Sequence, residues 1–258
     1  MKTLRELYQY REMLFGLVRR DLRGRYKGSF LGFAWTFLNP LLQLAVYTLV
    51  FSYVLPVMNV ERYYLFLFVA LIPWIAMSAS VTSASVCITG QSAMVTKIYF
   101  PRLILPIATV TTNFVNMLLG MLVVFLVCAL SIGIRFAVLW YLIPTILIEY
   151  ILALGLAFLV SCLTVYFRDM EHFLPILVLA WQFLSPVMYA AEMVPERFRT
   201  LFFLNPMTPI LTAYRKILYE KAVPDLGLLL LSFGISLLIF VAGALLFSRL
   251  ERHFAEEL

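Results

Sequence analysis

Charge is scarce in this sequence. Only 13% of its 258 residues are Asp, Glu, Lys or Arg, against about 25% in a soluble domain. That excludes a fold of this size with a fully solvated surface. Catalytic signatures are missing too. No GxxxxGK[ST] loop is present, so the chain is not expected to hold ATP in a P-loop. HExxH, GxSxG and paired carboxylates within an apolar run are also absent, which argues against an intramembrane hydrolase or transferase. The two histidines, His172 and His253, fall at the ends of expected helices. Cys87, Cys128 and Cys162 are odd in number, form no CxxC and lie in or beside apolar runs. They read as small buried side chains rather than a disulfide framework or metal site. No cofactor or metal is expected on this chain.

What is present is apolar length. Hydrophobic residues make up 63% of the chain, and mean hydropathy is +0.95. Runs longer than about 18 apolar residues mark membrane-spanning helices. Six are expected, at 30–55, 63–88, 103–132, 136–166, 173–191 and 226–247. Asn39-Pro40 should kink the first, because proline removes a backbone donor. Ala76, Ser80 and Ala84, like Ala153, Ala157 and Ser161, recur at four-residue spacing and should let helices approach closely. No internal repeat or low-complexity tract divides the chain. It reads as one domain, 1–258, with residues 1–29 before a bundle at 30–258. Those first residues are too charged for a cleavable signal, so the first span is expected to direct insertion.

Basic residues set orientation before they suggest any nucleic-acid partner, and none is expected despite a net charge of +6. Eight precede the first span: Lys2, Arg5, Arg11, Arg19, Arg20, Arg23, Arg25 and Lys27. With six crossings, Lys97, Arg102, Arg168, Arg249 and Arg252 share that side. The short loops opposite hold only Arg62 and Arg135. Both termini are therefore expected in the cytoplasm.

The N-terminal segment repeats Leu7, Tyr10, Leu14 and Leu17 at helical spacing, an amphipathic helix for the membrane surface. Arg19, Arg20, Arg23, Arg25 and Lys27 sit where a phosphate-bearing headgroup would approach. Ordinary anionic lipid would satisfy the same side chains. Residues 91–102 are too polar to span and read as a short helix ended by Pro101. Gln91, Met94, Val95, Lys97, Ile98, Tyr99, Phe100 and Arg102 would offer a partner an apolar and basic surface, or serve only as an interfacial connector.

Aromatic residues make up 16%. Trp35, Phe37, Tyr47 and Phe51, with Trp181, Phe183 and Tyr189, are candidates to line a path for sugars. Interfacial anchoring is the alternative. Glu149 is the one carboxylate within a span. It is a functional candidate, a hydrogen-bonding group between helices, or a residue nearer the interface. Residues 192–225 read as two short helices in a re-entrant or surface hairpin. Pro195 and Glu196 open the first, which runs to about Leu204 before Asn205-Pro206. Thr208 caps the second, which runs to about Glu220. Five basic residues in this segment should oppose its full burial. Phe198, Leu201 and Phe202, with Ile210, Leu211 and Tyr214, supply its apolar sides, and Arg215 joins Pro195, Phe198, Phe202, Asn205 and Tyr214 as an outer-gate candidate.

Six groups of residues occur in a telling order. They are Arg19-Arg20-Asp21-Leu22 with Arg25-Tyr26-Lys27-Gly28-Ser29; Leu31-Gly32, Trp35 and Asn39-Pro40; Lys97-Ile98-Tyr99-Phe100-Pro101-Arg102; Phe167-Arg168-Asp169; Ser185-Pro186-Val187-Met188-Tyr189; and Val194-Pro195-Glu196 with Asn205-Pro206-Met207-Thr208-Pro209. In this order the chain resembles the membrane subunits of ABC exporters for O-antigen, teichoic acid and related polysaccharides. The resemblance implies an all-α inner-membrane homodimer of six-span subunits on two cytoplasmic ATPase chains, which carry the ATP and magnesium. It makes the N-terminal helix an interface helix, 91–102 the coupling segment, and the 192–225 hairpin a pair of outer gate helices. The cargo would be a polymer on a polyprenyl diphosphate or similar lipid. An ABC drug or lipid exporter, or an ion-coupled carrier or channel, is the alternative.

Overall fold

In a computed structural model the described residues are 8–24, 31–50 and 60–257. Among them there is no strand. Helix α1 spans Arg11–Gly24, α2 Trp35–Leu49, α3 Tyr63–Ser85, α4 Ser92–Lys97 and α5 Ile104–Ile132. A short α6, Phe136–Leu139, precedes α7, Leu142–Tyr166. Then come α8 Met170–Phe183, α9 Glu196–Leu204, α10 Met207–Leu218, α11 Leu226–Leu250 and a last turn, α12, Phe254–Glu257.

Among the described residues four helical stretches are long and apolar enough to cross a membrane: Tyr63–Ser85, Ile104–Ile132, Phe136–Tyr166 and Leu226–His253. Helix α2 has 15 residues and continues through Pro40; α8 has 14. At 1.5 Å per residue α8 reaches about 21 Å, short of a hydrocarbon core of about 30 Å. The expected fifth run, 173–191, is corrected. Its helix begins three residues earlier, at Met170, and ends at Phe183. Ser185-Pro186 cannot prolong it, since proline has no N–H and disfavours helical geometry at the residue before it. The expected second run also stops early, at Ser85 rather than 88.

Helix α3 is the centre of the molecule. It is apolar all round, and helices α2, α5, α7, α8 and α10 pack against it. Ala76, Ser80, Ala84, Ala153, Ala157 and Ser161 are all buried between helices. The closest approach is between α7 and α11, at two glycines. A Cβ on Gly155 would lie 2.6 Å from the backbone nitrogen of Phe240, and one on Gly243 would meet the carbonyl oxygen of Gly155. Neither helix could come this close with a side chain at those positions. Helix α5 stops at Gly133, whose φ of +75° favours glycine. Helix α11 starts where the Asp225 side chain accepts from the amides of Gly227 and Leu228 at 2.9 and 3.1 Å.

Helix α1 lies against α5 and buries Leu17 and Val18. Its Tyr10 and Leu14 also pack on the core. This apolar face therefore seals against the bundle as well as suiting a membrane surface. Leu7 lies outside the described residues.

Candidate functional sites at the two ends of the bundle

At the end of the bundle carrying α1, three segments meet. The Tyr10 hydroxyl donates to the carbonyl of Tyr99 at 3.4 Å. The Arg102 guanidinium donates to the carbonyl of Glu251 and lies 5.8 Å from the centre of the Phe254 ring. The 91–102 segment is thus tied to α1 on one side and to the end of α11 on the other. Helix α4 within it ends at Lys97, four residues before Pro101, so proline is not its direct stop. The expected exposure of all the segment's apolar residues is corrected as well. Val95 and Phe100 face the core, Phe100 only 5% exposed, and Met94 packs partly against it. Ile98 and Tyr99 stand out, Tyr99 88% exposed, with Lys97 beside them. A groove of about 380 Å³ runs past Ile98, Tyr99, Arg102 and Arg252.

Arg19, Arg20 and Arg23 are exposed along α1, and Arg20 forms a 3.1 Å ion pair with Asp21. Arg25, Lys27 and Phe51 lie outside the described residues. Gln91 borders a cleft between α1, α3 and α5 together with Arg20 and Asp21. Trp35 lines a smaller pocket farther along α2. Phe37 is half-buried, and Tyr47 packs against the core.

At the opposite end, α9 and α10 form the expected pair of short helices, with boundaries close to those read from proline positions. The second cap differs. Thr208 sits inside α10, and the Asn205 side chain accepts from the amide of Met207 at 3.1 Å instead. Asn205 also accepts from the Trp181 indole at 2.9 Å and donates to the Leu184 carbonyl and the Ser185 hydroxyl. Trp181 in turn meets Trp74 edge to face, ring centres 5.3 Å apart.

Helix α10 turns its expected apolar side into the bundle. Ile210, Leu211 and Tyr214 are fully buried against α3 and α7. Arg215, expected to resist burial, is only 4% exposed. It donates to three backbone carbonyls: Phe66 at 3.2 Å, Tyr189 at 3.1 Å and Val187 at 2.7 Å. Its guanidinium also lies 3.6 Å from the centre of the Phe66 ring. The planar fork supplies enough donors for one carbonyl of α3 and two of the non-helical stretch that follows α8. Tyr63 donates to the next one, Met188, at 2.7 Å. The Ser185 to Tyr189 stretch is therefore held by side chains from α3 and the hairpin, and the Tyr189 hydroxyl turns back to Phe183 at 2.8 Å. Toward the end of α10, Lys216 pairs with Glu220 at 2.6 Å, and that hydrogen bond holds its ammonium above the usual range.

The sugar-lining and gate candidates partly merge. Trp181, Tyr189, Phe198, Phe202 and Asn205 surround one cavity of about 640 Å³ between α7, α8, α9 and α11. Pro195 opens α9 just outside it. Phe183 is not among its walls and is exposed, while Tyr214 and Arg215 lie in the core. With Asn205 engaged in structural bonds, the cavity presents chiefly apolar and aromatic faces.

Sequence reading passed over Asn113 and Asn116 of α5, both of which face a cavity. Their signal was two amides three residues apart in an otherwise apolar span. Glu149, left open from sequence, is a bond between helices: the Tyr214 hydroxyl donates to its Oε2 at 2.7 Å.

Comparison with known proteins now supplies a family. The model for the ABC-2 type transporter matches residues 12–219. An O-antigen export system permease protein, RfbA, of Myxococcus xanthus is 37% identical and aligned over the whole of both chains. Two of the same description from Klebsiella pneumoniae are 28% and 29% identical, covering 95% of this chain and 94% of each relative. With most of its length inside the family model and end-to-end similarity to such a permease, this chain belongs to the ABC-2 type transporter family.

Proposed function

We propose that this chain is the membrane-spanning subunit of an ATP-driven exporter that carries a lipid-linked polysaccharide of the O-antigen type across the cytoplasmic membrane. The observation that carries the reading is the end-to-end match to O-antigen export permeases. ATP and magnesium belong to a separate ATPase, two copies of which serve two copies of this chain. Its docking surface is the exposed Ile98–Tyr99 corner with Lys97 and the groove beside Arg102 and Arg252. A segment tied to α1 and to the end of α11 is suited to pass a push from a docked partner into the bundle.

In this reading both termini are cytoplasmic, and the chain crosses six times as one domain, with α2 in the first crossing and α8 as the short fifth. Helices α9 and α10 form a re-entrant hairpin at the outer face. Helix α9, with Phe198 and Phe202 over the cavity, is the movable part of the gate, and buried α10 is its fixed base. Arg19, Arg20 and Arg23, with Arg25 and Lys27, receive the phosphates of the lipid carrier. Exposed guanidinium groups at a membrane surface suit that task.

The test is deletion of the gene followed by complementation. Surface polysaccharide should disappear while the lipid-linked polymer accumulates inside, and this chain should restore export only when its ATPase is present. Unchanged surface polymer in the deletion strain would overturn the reading.

A further inference from the structure

Between α2, α3 and α5 lies a cavity of about 110 Å³ that takes in Trp35, Asn39, Asn113 and Asn116. Asn113 also lines the cleft beside α1, about 430 Å³, together with the Arg20–Asp21 pair, Ser83, Gln91, Thr109 and Thr112. Asn113 is a wall of both, so the two spaces adjoin along a polar seam that leads from α1 toward the apolar bundle.

Some of the seam's polar atoms find no hydrogen-bond partner among the described residues. Both amide atoms of Asn116 are buried, and neither has a hydrogen-bond partner among the described residues; the same holds for Oε1 of Gln91. A buried polar atom left unpaired costs about 1–3 kcal/mol, and hydrocarbon offers nothing to pair it. Thr109 and Thr112 donate to the carbonyls of Leu105 and Ala108 at 3.0 and 2.8 Å. Their oxygens therefore have acceptor capacity left, whereas the amides can both donate and accept. Groups that donate and accept beside an indole match hydroxyl groups on a ring with C–H faces.

We propose that this seam binds the hydroxyl groups of the cargo's sugar, with a ring in the cleft near Arg20 and the next hydroxylated edge between Asn39 and Asn116. The inference rests on the polysaccharide-export reading. Water carries the same hydroxyl chemistry: the smaller space equals about three or four waters at ~30 Å³ each. The experiment must separate these two sources.

The assay is ATP hydrolysis by the purified complex of this chain and its ATPase in lipid nanodiscs. It is titrated with a polyprenyl-diphosphate trisaccharide and, separately, with the polyprenyl diphosphate lacking sugar. Asn116→Leu should raise half-saturation for the trisaccharide about tenfold, the effect of losing one or two hydrogen bonds. Its response to the sugar-free probe should not move. Asn39→Leu, at an exposed position on a different helix, should give the same split and serves if the first variant does not assemble. No shift with either probe would mean that the seam holds water only, and an equal shift with both would mean that the amides only support the structure; either result overturns the proposal. A wild-type complex that responds to neither probe would instead refute the polysaccharide reading, and the proposal with it.

Discussion

The hydroxyl of Tyr214 on α10 donates to Oε2 of Glu149 on α7 at 2.7 Å, and both residues are wholly buried. The bond fastens the α9–α10 hairpin to a long helix deep in the bundle. A carboxyl group at this depth is costly without a partner, and the other oxygen, Oε1, has none among the described residues. Removing the hydroxyl leaves the whole group unpaired.

Tyr214→Phe should therefore destabilise the protein by about 1–3 kcal/mol. Glu149→Gln should cost less, because its amide oxygen still accepts the bond. Thermal melting in detergent checks the order. A Tyr214→Phe protein that melts with the wild type would show that the bond contributes nothing.

Arg215→Met should release the stretch from Ser185 to Tyr189. Three carbonyls lose their donor at once, and Arg215→Lys should repair little, since an ammonium cannot reproduce the planar fork. Val187 is fully buried. A cysteine placed there in a cysteine-free background should resist thiol reagents beside Arg215 and react at least several-fold faster beside Met. Equal rates would mean that other contacts hold the segment.

Tyr99 and Phe100 should separate by phenotype. Tyr99→Ala removes an exposed ring, so melting should hardly change while export and coupled ATP hydrolysis fall. Phe100→Ala should cost about 3–5 kcal/mol of stability through the cavity it leaves. Export by Tyr99→Ala at the wild-type rate would remove Tyr99 from the docking surface.

Gly155→Ala should drive α7 and α11 apart, because its methyl would lie 2.6–2.8 Å from the backbone of Ile239 and Phe240. Overpacking of this kind costs about 1–3 kcal/mol. Gly16→Ala on α1, where a methyl has open space, is the control. Melting of the two variants should differ clearly.

Topology is checked by cysteine labelling in intact cells with an impermeant reagent. Positions Arg197 and Glu220, both exposed, should react from outside, and positions Tyr99 and Arg252 only after permeabilisation. Reaction at Glu220 only after permeabilisation would defeat the six-crossing reading and the outer gate together.

Apolar run length and proline position are local properties, and they determined much of this protein. The long runs became Tyr63–Ser85, Ile104–Ile132, Phe136–Tyr166 and Leu226–His253, and Pro195 with Asn205-Pro206 marked the hairpin helices near their true ends. The ordered motifs from Arg19 to Pro209 pointed to the same exporter class as the full-length relatives. Burial was decided by the tertiary structure, because a helix that is apolar all round, such as α3, carries no sign of which side meets protein. Tyr99 and Phe100 are adjacent aromatics, yet one faces out and the other in. Arg215 looked too polar to bury until carbonyls of Phe66, Val187 and Tyr189, two of them 28 and 149 positions away, converged on its fork. Such partners come together only when the chain packs, as do Tyr214 with Glu149 and Gly155 with Gly243. The physical reason is that pairing and close packing are properties of groups distant in sequence, whereas hydropathy and proline act where they stand.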